Sequence, residues 1–133
     1  MNNTQEHQRL VHEILIAVGG MPDVRVWKQV NGMAIPYGAE HPVHFGGPNG
    51  QGDIGGIMRV SQLVDPDGGL YQTRNTYGVR LEIEVKTGSG RPSKEQIVYQ
   101  KMIEKFGGIY ILARSVDDAL RPIQNALRFN NIR

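Results

Sequence analysis

The chain has 133 residues, enough for one domain with a moderate core, and its 39% hydrophobic and 21% charged content is that of a folded rather than a disordered protein. It contains no cysteine, which excludes disulfides and cysteine-ligated metal sites and makes a reducing compartment the default. The net charge of +2 is too small to announce nucleic-acid binding, so any basic surface must be local.

The N-terminal stretch Met1-Asn2-Asn3-Thr4-Gln5-Glu6 is polar and lacks a signal-peptide layout, and no apolar run is long enough to span a bilayer. The expectation is a soluble, intracellular, cytoplasmic protein with no membrane partner. Leu10, Val11, Ile14, Leu15 and Val18 recur at helical spacing, which predicts a helix from about Thr4 to Val18, stopped by Gly19-Gly20. Val24 to Val30 alternates as a strand, and Asn31-Gly32 follows as a turn. From Pro36 to Gly52 the chain is rich in Gly, Pro and His without a period, and reads as a loop. Strand character returns from Asp53 to Val60. Ser61 to Gly78 contains the turn signal Asp65-Pro66-Asp67-Gly68-Gly69 and reads as a hairpin extension.

Leu81-Glu82-Ile83-Glu84-Val85-Lys86 alternates apolar and charged residues throughout, the mark of a half-buried strand. Thr87 to Pro92 is a connection. Ser93 to Phe106 is predicted as a helix, ended by Gly107-Gly108. Ile109 to Ala113 is a near-continuous apolar run, as in a strand covered on both faces. Ser115 caps a last helix, with Asp118 placed as in a capping box. The order α-β-β-β-α-β-α predicts an α/β fold, a mixed central sheet with helices on both faces.

Chemistry concentrates on one strand face. Asp53 precedes an apolar run, and the later strand carries Glu84-Val85-Lys86, which together make the arrangement D…ExK. Two carboxylates can hold a hard divalent cation, and a lysine two residues along can reach the water that the metal activates. That combination hydrolyses phosphodiesters. The bland alternatives are a solvated strand face for Glu84 and Lys86, and a turn aspartate for Asp53. Glu82 shares the face of Glu84. The spacing to Lys86 favours Glu84 as the ligand and leaves Glu82 to pair with a basic side chain or to sit farther along the strand. Gln96 falls at N3 of the capping box Ser93-Lys94-Glu95-Gln96, a structural role that does not exclude a place in the site. Spacing alone makes Glu6 and Glu13 solvated helix residues, and makes His7 a packed, hydrogen-bonded histidine rather than a metal ligand. His41 and His44 lack a third ligand. Lys28, Arg59, Arg91, Lys94 and Lys101 are candidates for phosphate contacts.

The segments Glu6-His7-Gln8, Gly50-Gln51-Gly52-Asp53, Glu84-Val85-Lys86 and Ser93-Lys94-Glu95-Gln96, followed by Gly107-Gly108 and Ser115-Val116-Asp117-Asp118, stand in a familiar order. From about Glu6 to Leu120 the chain resembles the VRR-NUC domain, the virus-type replication–repair nucleases of the PD-(D/E)xK superfamily. The resemblance implies a restriction-endonuclease-like core in a single domain spanning residues 1–133. It implies Mg2+ or Mn2+ held by Asp53, Glu84, Glu6 and the Val85 carbonyl. Lys86 would assist the attacking water, and Gln96 would be an active-site side chain. One departure is Gly52, where the family has proline, which predicts a looser backbone before Asp53. Similar stand-alone phage-type members are small, dimeric nucleases acting on branched DNA. The expected function is therefore a metal-dependent DNA endonuclease selective for structures such as Holliday junctions, a homodimer of phage or prophage origin in a bacterial host. The rival is a non-catalytic DNA-binding module that keeps the fold. Tyr71 and Tyr77, in the Ser61–Gly78 segment, are candidates for the dimer interface or a DNA-contacting arm.

Overall fold

The computed structural model describes residues 3–30, 32–64, 73–128 and 130. The first helix, α1 (Asn3–Gly19), buries Val11, Ile14 and Val18, the stripe that its periodicity predicts. Strand β1 (Val24–Lys28) follows, then two short strands, β2 (Gly32–Ala34) and β3 (Val43–Phe45). Two long strands come next, β4 (Ile54–Val64) and β5 (Thr73–Val85). Helix α2 (Lys94–Lys105), strand β6 (Ile109–Ala113) and helix α3 (Val116–Leu127) complete the chain.

The main sheet has four strands in the order β1-β4-β5-β6. The first three are antiparallel neighbours, and β6 lies parallel to β5. A parallel neighbour requires a crossover, and α2 supplies it. Leu81, Ile83 and Val85 project from β5 into the core with Val11, Ile14 and Val18 of α1 and Ala119 and Ile123 of α3. On the other face α2 meets the sheet through Tyr99, whose ring lies edge-on to Tyr110, its centroid 6.4 Å away. Tyr110 is the register partner of Glu82. The fold is thus a mixed α/β sheet with helices on both faces. Among the described residues, no helix is long and apolar enough to cross a membrane.

Several expected elements change. The stretch expected to be a turn and then a loop contains the antiparallel β2–β3 pair, with Met33 opposite His44. Strands this short and exposed carry no readable period. The predicted hairpin extension is real. β4 and β5 stay paired out to Val64 and Thr73, so each strand is longer than its alternating segment suggested. The turn signal at 65–69 and Tyr71 lie outside the described residues. Strand β6 lies at the sheet edge, with Ile111 and Ala113 buried on the core face and Tyr110 packed against Tyr99 on the other, where Leu112 is 36% exposed.

A polar latch ties the end of the chain to the sheet. Asn130 accepts from Ser61 N–H at 2.9 Å through Oδ1. Its Nδ2 donates to Asp23 Oδ2 at 3.0 Å and to the Arg59 carbonyl at 2.7 Å. Arg59 also donates to Asp23, from Nη2 at 2.6 Å. The hydrogen bond from Asn130, then that from Arg59, holds the Asp23 carboxyl below its ordinary value of 3.8. The unfolded chain therefore binds this proton first. The contribution of Asp23 is full above the ordinary carboxylate value and is lost as pH falls through the lowered one. We expect Asp23→Asn to flatten this part of the acid dependence: urea midpoints of wild type and variant, measured from pH 7 downward, converge as Asp23 protonates. Midpoints that stay parallel across the range would contradict the assignment.

Candidate active site

Register decides the geometry. Ile54 pairs with Ile83, so the antiparallel ladder carries Asp53, the residue before β4, opposite Glu84. Asp53 is fixed from three sides. Its Oδ2 accepts the Val85 N–H at 2.8 Å, its carbonyl accepts the Gln29 N–H at 2.8 Å, and the same Oδ2 lies 3.3 Å from His7 Nε2. His7 Nε2 is also 3.1 Å from the Val85 carbonyl oxygen.

The three charges of the β5 face have different environments. Glu82 is fully buried and fully partnered. Its Oε1 accepts from Gly52 N–H at 2.9 Å and from Gln29 Nε2, and its Oε2 accepts from Arg80 Nη2 at 2.8 Å and Nε at 3.1 Å. Arg80 also lies over the Trp27 ring, 5.5 Å from its centroid. Glu82 is therefore the carboxylate that pairs with a basic side chain, one of the two fates that its strand position allowed. Glu84 is buried too, with Lys86 Nζ 3.2 Å from its Oε1. Burial pushes its carboxyl above the ordinary range and repulsion from Asp53 adds to this, while Lys86 and a hydrogen bond from the Gln96 side chain pull the other way.

Gln96 fills both roles that its sequence position allows. Its Oε1 accepts the Ser93 N–H at 2.9 Å, and its own N–H donates to Ser93 Oγ at 3.2 Å, so the capping box is complete. Its side chain also reaches Glu84. The loop before Asp53 packs directly on this helix start. Gly50 has φ +86°, and a Cβ there would stand 2.2 Å from the Glu95 carbonyl oxygen. Gly52 is not the loose link that its departure from proline predicted. A Cβ would stand 2.6 Å from the Ile83 carbonyl oxygen, and the Gly52 N–H that Glu82 uses is a donor that proline lacks.

Other expected site residues fall as follows. The residue of α1 that meets Asp53 and the Val85 carbonyl is His7, not Glu6. Glu6 is exposed and opens on a neighbouring cleft of about 460 Å³ with Arg9, Leu10, Glu13, Thr87, Gly88 and Arg114. Glu13 is paired with Arg9 at 3.1 Å. Arg59 belongs to the Asp23 latch, which removes it from the free cations. Arg91, Lys94 and Lys101 are exposed at and along α2, with Lys94 and Lys101 two turns apart on one side. Lys28 is exposed at the site end of β1. His41 and His44 are exposed, and His44 Nε2 lies 2.9 Å from the Gly47 carbonyl oxygen. Tyr110, not anticipated from its strand, has a buried hydroxyl with no hydrogen-bond partner among the described residues. Burial, then the charges of Glu84, Glu82 and Asp53, pushes its ionisation up.

The donors fit a divalent cation in part. Two carboxylates and a backbone carbonyl are oxygen ligands of the type that magnesium and manganese take. Yet among the described residues no three His, Cys, Asp or Glu side chains form a group that could hold a metal ion. No family model matches the chain, and neither a curated protein nor a solved structure is significantly similar to it. The resemblance to VRR-NUC nucleases therefore rests on the sequence motifs alone.

The two glutamates separate by stability. Glu82→Ala leaves the Gly52 N–H and the Arg80 guanidinium without their acceptor, and we expect a loss of about 3 kcal/mol in urea unfolding at pH 7. Glu84 behaves oppositely. Its raised carboxyl means that the folded chain holds this proton more tightly than the unfolded one, so stability falls as pH rises from the ordinary value through the raised one. Glu84→Gln removes that burden, and its thermal midpoint at pH 7 should rise by roughly a few degrees. A lower midpoint would show that attraction to Lys86 outweighs burial.

Proposed function

We propose that the chain is a magnesium- or manganese-dependent DNA endonuclease on a restriction-endonuclease-like core. The observation that carries this reading is Asp53 set opposite Glu84 by the β4–β5 register, with Lys86 3.2 Å from the Glu84 carboxylate. In this reading Asp53, Glu84 and the Val85 carbonyl hold the cation, which when bound polarises a phosphate and acidifies water. Lys86 presents its ammonium to the charge that develops on the scissile phosphate. Gln96 positions Glu84 from the first turn of α2. Arg91, Lys94, Lys101 and Lys28 neutralise neighbouring phosphates.

Cleavage of a labelled four-way junction with magnesium or manganese tests this. Asp53→Ala and Glu84→Ala should reduce the rate to background, and Lys86→Ala should lower it about 10²–10³-fold. Junction binding without cleavage in folded wild-type protein would support the non-catalytic DNA-binding module instead.

The chain acts as a homodimer on branched DNA in this reading, because one small domain carries one site and resolving a junction takes two cuts related by symmetry. Tyr77, 47% exposed on the long hairpin, is the described candidate for the interface, since aromatic residues are enriched there. Light scattering should give twice the chain mass, 14.8 kDa, and junction should be cut faster than linear duplex. A monomer removes the dimer, and equal rates remove only the preference for branches.

A further inference from the structure

The β2–β3 pair is an arm, with every residue of β3 exposed. In its register Met33 faces His44 on one side, while Ala34 with Val43 and Gly32 with Phe45 lie on the other. Apolar side chains therefore stand exposed on both faces, Met33 on the first and Val43 and Phe45 on the second. The Phe45 ring lies across Gly32, where a Cβ would stand 2.8 Å from a ring carbon, so the ring is held in place. Beyond β2 the Ala39 N–H donates to the Pro36 carbonyl at 2.9 Å and closes a turn. Its third residue, Gly38, has φ +83°, the position of a type II turn that calls for glycine. Tyr37 is the corner residue of that turn and is wholly exposed. Both ends of the arm run into the candidate site. Gln29, ahead of β2, donates its N–H to the Asp53 carbonyl at 2.8 Å, and Gly52, after β3, donates its N–H to Glu82 at 2.9 Å.

We infer that this arm is a wedge for bases left unstacked at a DNA branch point, with Tyr37 as its leading ring and Phe45 behind it. The inference rests on the DNA nuclease reading above and deepens it by naming the feature of branched DNA that is recognised. Three observations favour nucleobases as the occupant. Apolar side chains on both faces suit entry between two bases, each of which offers a π-face, whereas the surface of a protein partner would cover one face. The local charge admits phosphates: between Gln29 and Asp53 the only acidic residue is Glu40, accompanied by His41 and His44, and the exposed Lys28 stands just ahead of the arm. The arm is also rooted at Asp53 and Glu82, so a branch engaged by its rings is held beside the candidate site. Bases at a branch point have faces free for stacking. A linear duplex must first be unstacked to offer the same faces, and that cost makes the arm selective for branches.

The test is binding in EDTA, where no strand is cut. Fluorescence anisotropy compares wild type, Tyr37→Ala and Tyr37→Phe on a four-way junction, on a linear duplex and on oligo-dT, each protein checked for folding by its thermal melt. A junction carrying 5-iodouracil at the branch is then photocrosslinked, and the attached residue is mapped by mass spectrometry. Tyr37→Ala should lose about tenfold in affinity for the junction and for oligo-dT, with duplex affinity changed far less. Tyr37→Phe keeps the ring and should bind as wild type does, and the crosslink should fall on Tyr37 or Phe45. Unchanged junction binding by Tyr37→Ala, an equal loss on duplex, or a Tyr37→Phe as weak as the alanine variant overturns the stacking role. If Tyr37→Ala turns a dimer into a monomer in light scattering, the arm is a protein interface and the inference falls. Cleavage with magnesium or manganese judges the nuclease reading separately. If wild type cuts the junction and Tyr37→Ala binds and cuts it equally well, only this inference falls. If wild type binds none of the three DNAs, both fall.

Discussion

The buried carboxylate of Glu82 joins three stretches that lie far apart in the chain: the end of β1 at Gln29, the entry to β4 at Gly52, and the middle of β5 at Arg80. A carboxylate without water must be hydrogen-bonded on nearly every lone pair, and its partners must come from wherever the fold can supply them. Here they come from the residues that flank Asp53. Gly52 donates its N–H to Glu82 and accepts at its carbonyl from Gln29 Nε2 at 3.0 Å, so the backbone one residue before Asp53 is held on both sides. The position of Asp53 opposite Glu84 follows from that anchoring as much as from the β4–β5 ladder.

Glu82 and Glu84 illustrate how environment separates identical side chains on one strand face. The first is neutralised by a guanidinium and two further donors. The second is buried beside another carboxylate, with one ammonium and one amide to offset it. Burial first, and then the neighbouring Asp53, makes the charged form of Glu84 costly. The Tyr110 hydroxyl is buried near the same acidic groups and has no hydrogen-bond partner among the described residues.

The helices and the main strands were legible because periodicity and caps are local signals. Val11, Ile14 and Val18 mark α1, Ser93 and Gln96 open α2, and the Leu81–Lys86 alternation marks the inner end of β5. β2 and β3 were not, since three exposed residues each leave no pattern to read. Partners distant in the chain were hidden as well. The contact of His7 with Asp53 spans 46 positions, and that of Arg59 with Asp23 spans 36, so the partner of a histidine expected to be hydrogen-bonded, and the pairing of an arginine expected to meet phosphate, show only in three dimensions. The role of Gly52 also depends on distant partners. Seen alone it is a flexible link, but the Ile83 carbonyl leaves no room for a side chain and Glu82 requires its N–H.

The hairpin also has a consequence for how the site comes into being. β4 is 11 residues long and pairs along its whole length with β5, and the pair nearest the connecting segment, Val64 with Thr73, closes the shortest loop. Closing short loops costs least entropy, and the register set there carries along the ladder to Ile54 and Ile83, beside which Asp53 faces Glu84. A slip of one residue at the outer end would turn every inner side chain to the opposite face, sending Glu82 and Glu84 into the α1–α3 layer where Leu81, Ile83 and Val85 belong. The apolar packing of that layer thus favours one register, the one that buries Leu81, Ile83 and Val85 there and sets the two carboxylates on the opposite face.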